Sequence, residues 1–260
     1  MKHSVGAGQF VTWNGGCLLI GESGVVVPMH AHYAIQIAFG KQHGIAFRTS
    51  EKEEWRSYRG AIIPSRQPHS MDATHVRGSG VMFVEPETHE GRVIDELYLA
   101  GGIAEMPERA VRSVQEVFAA WEAGDRDQLV RACKALVRSL TGDVEPRVAS
   151  DERILRATAY IAAHLNSKLT LDEIAKAAFL SPSRFRHLFM EQTGMGLRPY
   201  ILWRRFLKVW ELVMAGETMS NAAHAAGFAD AAHLTRTSRR MFGFPPSALR
   251  VGRGAEFGEL

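Results

Sequence analysis

Residues 181–200 read SPSRFRHLFMEQTGMGLRPY, and residues 230–249 read DAAHLTRTSRRMFGFPPSAL. Set over one another at an offset of 49, they align Ser181 with Asp230, Phe185 with Leu234, Leu188 with Thr237, Phe189 with Ser238, Gly194 with Gly243 and Tyr200 with Leu249. Ser and Asp are strong N-cap residues, because their side-chain oxygens accept the unpaired N–H groups that open a helix. The glycine about a dozen residues later supplies the left-handed stop. Each copy follows a short Ala-rich stretch, with Ile174-Ala175 in one and Ala222-Ala223 in the other. A short helix, a tight turn and a second helix capped at both ends is the helix-turn-helix pattern. Its repetition in a basic segment points to DNA.

The charge distribution supports that reading. The net charge is +3, but residues 151–253 hold 15 Lys and Arg against 8 Asp and Glu, whereas residues 1–150 hold 16 against 18. Positive charge confined to one segment is the footprint of a polyanion-binding domain. With 46% hydrophobic and 23% charged residues the composition is that of an ordinary soluble protein. No apolar run is long enough for a membrane span. Met1-Lys2-His3-Ser4 does not begin a signal peptide, and Cys17 and Cys133 are too few for a disulfide framework. A cytoplasmic protein is expected.

Upstream, the apolar runs Gly24–Pro28, Ala34–Phe39, Gly44–Phe47, Ala61–Ile63 and Gly80–Val84 have strand length. Close turns between short strands predict a small barrel or sandwich. From Pro107 the pattern changes. Val111, Val114, Val117, Phe118 and Trp121 recur at helical spacing up to Gly124; Leu129, Cys133, Leu136, Val137 and Leu140 do so up to Gly142. This predicts an αα-hairpin. Val114, Phe118, Trp121 and Leu136 are candidates for a dimer seam, the other reading being that the hairpin packs on its own barrel. Thr170 and Glu173 make a capping box. A connecting helix over Pro199–Ala215, ~16 residues and ~24 Å long, can space two recognition helices on successive major grooves.

The outward positions of the two capped helices hold the candidate base readers. In the first, Ser183, Arg186, His187 and Met190 point outward, and Ser183, Arg186 and His187 are the candidates; in the second, the candidates are Ala231, Ala232, Thr235 and Arg236. An arginine fork matches guanine O6 and N7, and the methyl groups of Ala and Thr suit a thymine methyl. Arg204, Lys208, Arg239 and Arg240 are candidate phosphate contacts. Arg205 is left out as a residue of a helix–helix seam.

The segment Leu169–Arg250 resembles the AraC/XylS transcription regulators. The residues that carry the resemblance are Ile174-Ala175, Ser181, Phe185, Leu188-Phe189, Gly194, Tyr200, Arg205, Leu212, Gly227-Phe228, Asp230, Arg236, Gly243, Pro246 and Arg250. Five residues depart from it: Ser238 stands where a bulky aromatic is usual, Ala232 where serine is, Leu234 for Phe, Ala222 for Ile and Val209 for Ala. The N-terminal half is similar to the cupin-like effector domains of the same family, through Gly24, His30, His32 and Gln36, then Gly60, Pro64 and His69. Cupin enzymes hold a metal with two histidines, a glutamate and a third histidine; here Gln36 stands for the acid. Read as one strand, His30, His32 and Gln36 share a face. No metal or cofactor is assigned. An organic effector pocket is expected from Trp13, His30, His32, Gln36, Phe47, Trp55, Tyr58, His69 and Phe83.

The resemblance thus implies an α+β multidomain chain. Residues 1–100 form a cupin-like β-barrel and 101–142 a helical hairpin; 143–150 are a linker, and 151–253 an all-α double helix-turn-helix domain. It implies a sequence-specific DNA-binding regulator, not an enzyme, controlled by a small-molecule effector. Double-stranded DNA, a second copy of the chain and, for an activator, RNA polymerase are the implied partners. The alternative is a metal-dependent cupin enzyme fused to a DNA-binding domain.

Overall fold

The computed structural model of the chain describes residues 5–22, 24–146, 150–243, 245–246 and 249–251. Residues 147–149 of the expected linker, the tail acids Glu256 and Glu259, and the side chain of Arg250 lie outside the described residues. Two compact units are formed, one by Met1–Pro146 with Ser238–Leu260 and the other by Arg147–Thr237.

The first unit begins with β1 (Val5–Trp13), β2 (Gly16–Glu22), β3 (Val26–His30), β4 (Ile35–Gly40), β5 (Ile45–Arg48), β6 (Arg56–Tyr58), β7 (Gly60–Ile63), β8 (His69–Asp72) and β9 (Gly78–Val84). There follow α1 (His89–Tyr98), β10 (Ala104–Glu105), α2 (Glu108–Ala123) and α3 (Arg126–Thr141). The second unit and the end of the chain hold α4 (Glu152–Ala163), α5 (Leu171–Ala177), α6 (Pro182–Thr193), α7 (Leu197–Met214), α8 (Met219–Ala225), α9 (Ala231–Phe242) and β11 (Leu249–Val251).

A seven-stranded sheet runs β10-β7-β4-β9-β2-β1-β11, and a four-stranded sheet runs β3-β8-β5-β6. Strand β11 joins the first unit by parallel pairing with β1. The central strand β4 explains the layering. Its Ile35, Ile37 and Phe39 enter a core with Val114, Val117, Phe118, Leu129, Cys133, Leu136 and Leu140 of the hairpin. Its Ala38 enters a second core with Ile45, Phe47, Tyr58 and Met71 of the smaller sheet. Both faces of β4 are therefore covered, so it reads as an almost unbroken apolar run. Gln36 is the polar interruption, and it is buried.

The hairpin forms where its sequence predicts. Gly124 closes α2 in the left-handed conformation at φ 71°, and Asp125 caps α3 by accepting from Gln128 N–H. Its apolar stripe is consumed by its own sheet. Val114, Phe118 and Leu136 are buried, and Trp121 packs against the same cluster. Of the two readings of the stripe, packing on its own barrel is the one found: Val114, Phe118 and Leu136 are taken out of the candidate dimer seam, and Trp121 is left partly exposed. An amphipathic helix specifies that one face is buried, not what buries it.

Candidate nucleic-acid interface and histidine pocket

In the second unit local rules place each element. Thr170 and Glu173 form the capping box of α5. The Ser181 hydroxyl accepts from Arg184 N–H, Pro182 fills the first turn of α6, and Gly194 ends it at φ 67°. In the repeat, Asp230 Oδ1 accepts from His233 N–H at 2.6 Å ahead of α9, and Gly243 follows at φ 75°. Helices α6 and α9 are each 12 residues and begin 49 apart, whereas α5 and α8 begin 48 apart. The second turn is thus one residue longer.

Helix α6 buries Phe185, Leu188 and Phe189 and exposes Ser183, Arg186 and His187. It also exposes Met190, as its helical period predicts, and Arg184, which is absent from the candidate set. On α9, Leu234, Thr237 and Ser238 are buried; Ala232, Arg236, Arg239 and Arg240 are exposed, and Ala231 and Thr235 are partly so. The exposure of Ala232 removes that departure from the core. Ser238 is fully buried and is not without a partner.

The connecting helix α7 spans 18 residues, ~27 Å at about 1.5 Å per residue, and starts before the expected Pro199. Pro199 is tolerated in the first turn because the N–H it lacks would be unpaired there. The α7 cations differ in what they can offer. Lys208 Nζ is 3.1 Å from Glu211 Oε2, so contact with a phosphate would cost that pair. Arg205 is partly buried and donates to the carbonyls of Leu165 and Ser167 at 3.1 and 3.2 Å. It ties α7 to the segment before α5, through carbonyls rather than a carboxylate.

Gly227 belongs to the same knot. At φ 84° its added Cβ would lie 2.6 Å from Leu165 O and 2.9 Å from the Arg205 guanidinium. The left-handed conformation costs an L-residue about 1–2 kcal/mol, and the overlap adds to it. Gly227→Ala is expected to lower the stability of the second unit by about 2–4 kcal/mol. Thermal denaturation checks this, and an unchanged midpoint would contradict the packing. In the first turn Phe179 takes φ 54° but is 81% exposed, so only the intrinsic cost applies.

In the first unit, His30 ends β3, His32 lies in the connection to β4, and Gln36 lies on β4 in the other sheet. The expectation of one continuous strand is corrected. The chain crosses between sheets after His30, beyond a register shift between Val27 and His30. The same groups nevertheless converge. His30 pairs across the ladder with His69 of β8. Ring centroids are 4.4 Å apart for His30 and His69, 5.2 Å for His32 and His69, and 5.7 Å for His30 and His32. Gln36 Oε1 lies 2.6 Å from His32 Nε2. Phe83 meets His32 edge-on at 4.9 Å, and Phe47 lies 5.9 Å from His69 and 6.0 Å from Tyr58. Two expected pocket residues are elsewhere. Trp13 packs on the helix-facing core, and Trp55 is 36% exposed with the Arg48 guanidinium 4.7 Å over its ring.

Burial holds all three imidazoles toward the neutral form. It lowers His30, lowers His32 well below its ordinary value with help from the other two rings, and lowers His69 to about 4.

Residues 151–251 match a family model described as "Helix-turn-helix domain". Regulatory protein PocR of Salmonella typhimurium is 28% identical over 101 residues, covering 38% of this chain and 33% of that protein. The Arabinose operon regulatory protein of Escherichia coli is 29% identical over 107 residues, covering 39% and 36%. The chain thus matches about a third of the length of these relatives. Over almost the whole chain, apo ToxT of Vibrio cholerae superposes with a TM-score of 0.58 at 10% identity, covering 92% of this chain and 97% of that one. ToxT with a bound unsaturated fatty acid gives 0.54 at 10% identity, covering 93% and 94%. At such identity the likeness to ToxT is one of fold.

Proposed function

We propose, from the premise that residues 151–251 are a helix-turn-helix domain of the AraC/XylS type, that this chain is a sequence-specific DNA-binding transcription regulator whose N-terminal unit binds a small-molecule effector. The carrying observation is the repeated unit itself. Two helices of equal length, each opened by a capping side chain and followed by a positive-φ glycine, each expose an arginine to solvent. In this reading Ser183, Arg186, His187, Ala231, Ala232, Thr235 and Arg236 face base edges. Arg204, Arg239 and Arg240 take phosphates, and Lys208 does so on leaving Glu211. Residues 151–253 act as the DNA-binding part, after an effector domain over 1–100, a hairpin over 101–142 and a linker over 143–150.

The effector reading is supported by fold. ToxT has this architecture and is known with an unsaturated fatty acid bound. The histidines, Gln36, Phe47, Tyr58 and Phe83 gather between the two sheets, away from the helix-covered face. A ligand there changes DNA affinity only by its differential affinity for two arrangements of the protein, ordinarily about 1–3 kcal/mol. The action of the chain in this reading is binding rather than catalysis, in the cytoplasm. No helix among the described residues is long and apolar enough to cross a membrane. A second copy of the chain belongs to this reading, with a seam built from residues other than Val114, Phe118 and Leu136. RNA polymerase joins it where the protein activates.

The test is selection from random-sequence duplex DNA. The full chain is expected to enrich one recurrent motif with two blocks about one helical turn apart. A retained pool without a common motif would contradict sequence-specific reading.

A further inference from the structure

We propose that the end of α9, Gly243 and β11 form a strap on the N-terminal sheets, through which an occupant of the pocket reaches the second DNA-reading helix. The inference rests on the DNA-binding reading above. Residues from Ser238 onward belong to the first compact unit. Those described reach β9, β3 and β1 in turn. The Phe242 ring stands edge-on to Phe83 of β9, with centroids 5.5 Å apart. Gly243, at φ 75°, runs so close to β3 that an added Cβ would lie 2.9 Å from Val27 Cγ1 and 3.2 Å from Pro28 O. Strand β11 then pairs with β1, Leu249 opposite Val5 and Val251 opposite Gly8. Two of these contacts lie one step from the pocket. Phe83 meets His32 edge-on at 4.9 Å on its other side. The Pro28 carbonyl accepts from His30 Nδ1 at 2.9 Å.

Comparison of the two repeats explains why the segment docks there. In the first copy Phe189 of α6 packs edge-on against Tyr200 of α7, with centroids 5.2 Å apart. The chain after Gly194 thus folds back on its own recognition helix. In the second copy Ser238 and Leu249 hold those two positions. Leu249 is the first residue of β11 and lies in the sheet, not in a helix. The aromatic anchor has moved to the last turn of α9 instead, where Phe242 stands for Thr193 of the first copy. Both residues are buried. An aromatic pair is worth about 0.5–1.5 kcal/mol beyond its buried area. Losing one pair at 238 and gaining another at 242 therefore both favour docking on the sheets over folding back.

The strap has a consequence for DNA. A short helix moves as one body, so what holds Phe242 also holds Arg236, about two turns earlier. With the strap docked, the segment that would support α9 as Tyr200 supports α6 is withheld from it. With the strap free, the segment can take that place and α9 can adjust to a groove. Docking therefore restrains DNA binding, and a ligand that displaces Phe83 relieves the restraint. Such a link is a difference in affinity between the docked and free forms, and it works in both directions.

The test needs no effector. Phe242→Thr, which copies the first repeat, is expected to raise the affinity of the full chain for its selected duplex at least about fivefold, the lower end of ordinary coupling. Phe83→Leu should raise affinity from the other side of the same contact, although β9 carries no candidate DNA-reading residue. The double variant should gain less than the product of the two, because both break one contact. In the wild type, hydrogen exchange at residues 249–251 should accelerate when the selected duplex saturates the chain. Circular dichroism establishes that each variant is folded. Unchanged affinity in both folded variants would overturn the strap and leave DNA reading intact. So would a loss in Phe242→Thr with no change in Phe83→Leu, or wild-type exchange that the duplex leaves unaltered. No duplex binding by the wild type or by either variant would overturn the DNA reading, and the strap with it.

Discussion

Val114→Glu combined with Phe118→Glu is expected to unfold the N-terminal unit rather than to split a dimer. Both side chains are almost fully buried against the seven-stranded sheet. The ring of Phe118 lies edge-on to Phe39 of β4 at 5.8 Å and also contacts Trp121. Removing a buried phenylalanine alone costs about 3–5 kcal/mol. Two carboxyl groups placed in the same core add desolvation whether they ionise or take up protons. The total loss exceeds about 5 kcal/mol, which is comparable to the whole stability of a domain. Loss of near-ultraviolet circular dichroism and of cooperative thermal unfolding in the first unit would match. A well-folded monomer would mean that the stripe faces another copy of the chain.

The second large effect concerns sequence preference. Arg186→Ala and Arg236→Ala should each narrow the gap between the selected duplex and a scrambled one by about 1–3 kcal/mol, the value of a bidentate contact to guanine. Both residues are exposed on helices whose opposite faces are buried, so neither change should lower stability. Combined in one chain, the losses should add if the sites act independently. Arg239→Ala should instead weaken both duplexes alike and reduce the salt slope by about one. Competition binding with both DNAs separates the two behaviours. Equal losses on both duplexes for all three variants would remove the assignment of Arg186 and Arg236 to bases.

Helix boundaries were legible because their causes are local. Ser181, Thr170 with Glu173, Gly124 and Gly194 each act within one turn. Pro199 has the look of a first helical residue, but α7 starts two residues earlier, where Gly196 caps it without a side chain. Helix α1 was not foreseen. Its N-cap is Thr88, but only Gly91, Val93 and Ile94 are buried, which is too little apolar periodicity to stand out. Strands β1 and β2 were also unread, because glycines at 6, 8, 16 and 21 dilute their alternation.

The histidine pocket was half legible. The residue types pointed to one another, but the period-two rule assumed an unbroken strand. The crossing from β3 to β4 after His30 depends on tertiary pairing with β8, which no local signal encodes. Trp13 and Trp55 lie outside the pocket, on the helix-facing core and at the surface. An aromatic side chain serves a core or a surface stack as readily as a pocket. The stripe of Val114, Phe118 and Leu136 was visible, but its partner was not.

The most direct test of the central claim is equilibrium binding of the full chain to its selected duplex across a salt series. Each phosphate neutralised by Lys or Arg releases condensed counterions, so the logarithm of the binding constant should fall linearly with the logarithm of salt. Five or more such contacts predict a slope of about −4 or steeper, with a scrambled duplex bound more weakly at every salt concentration. Binding that is absent, or that is independent of both salt and sequence, would contradict a DNA-reading function for this chain.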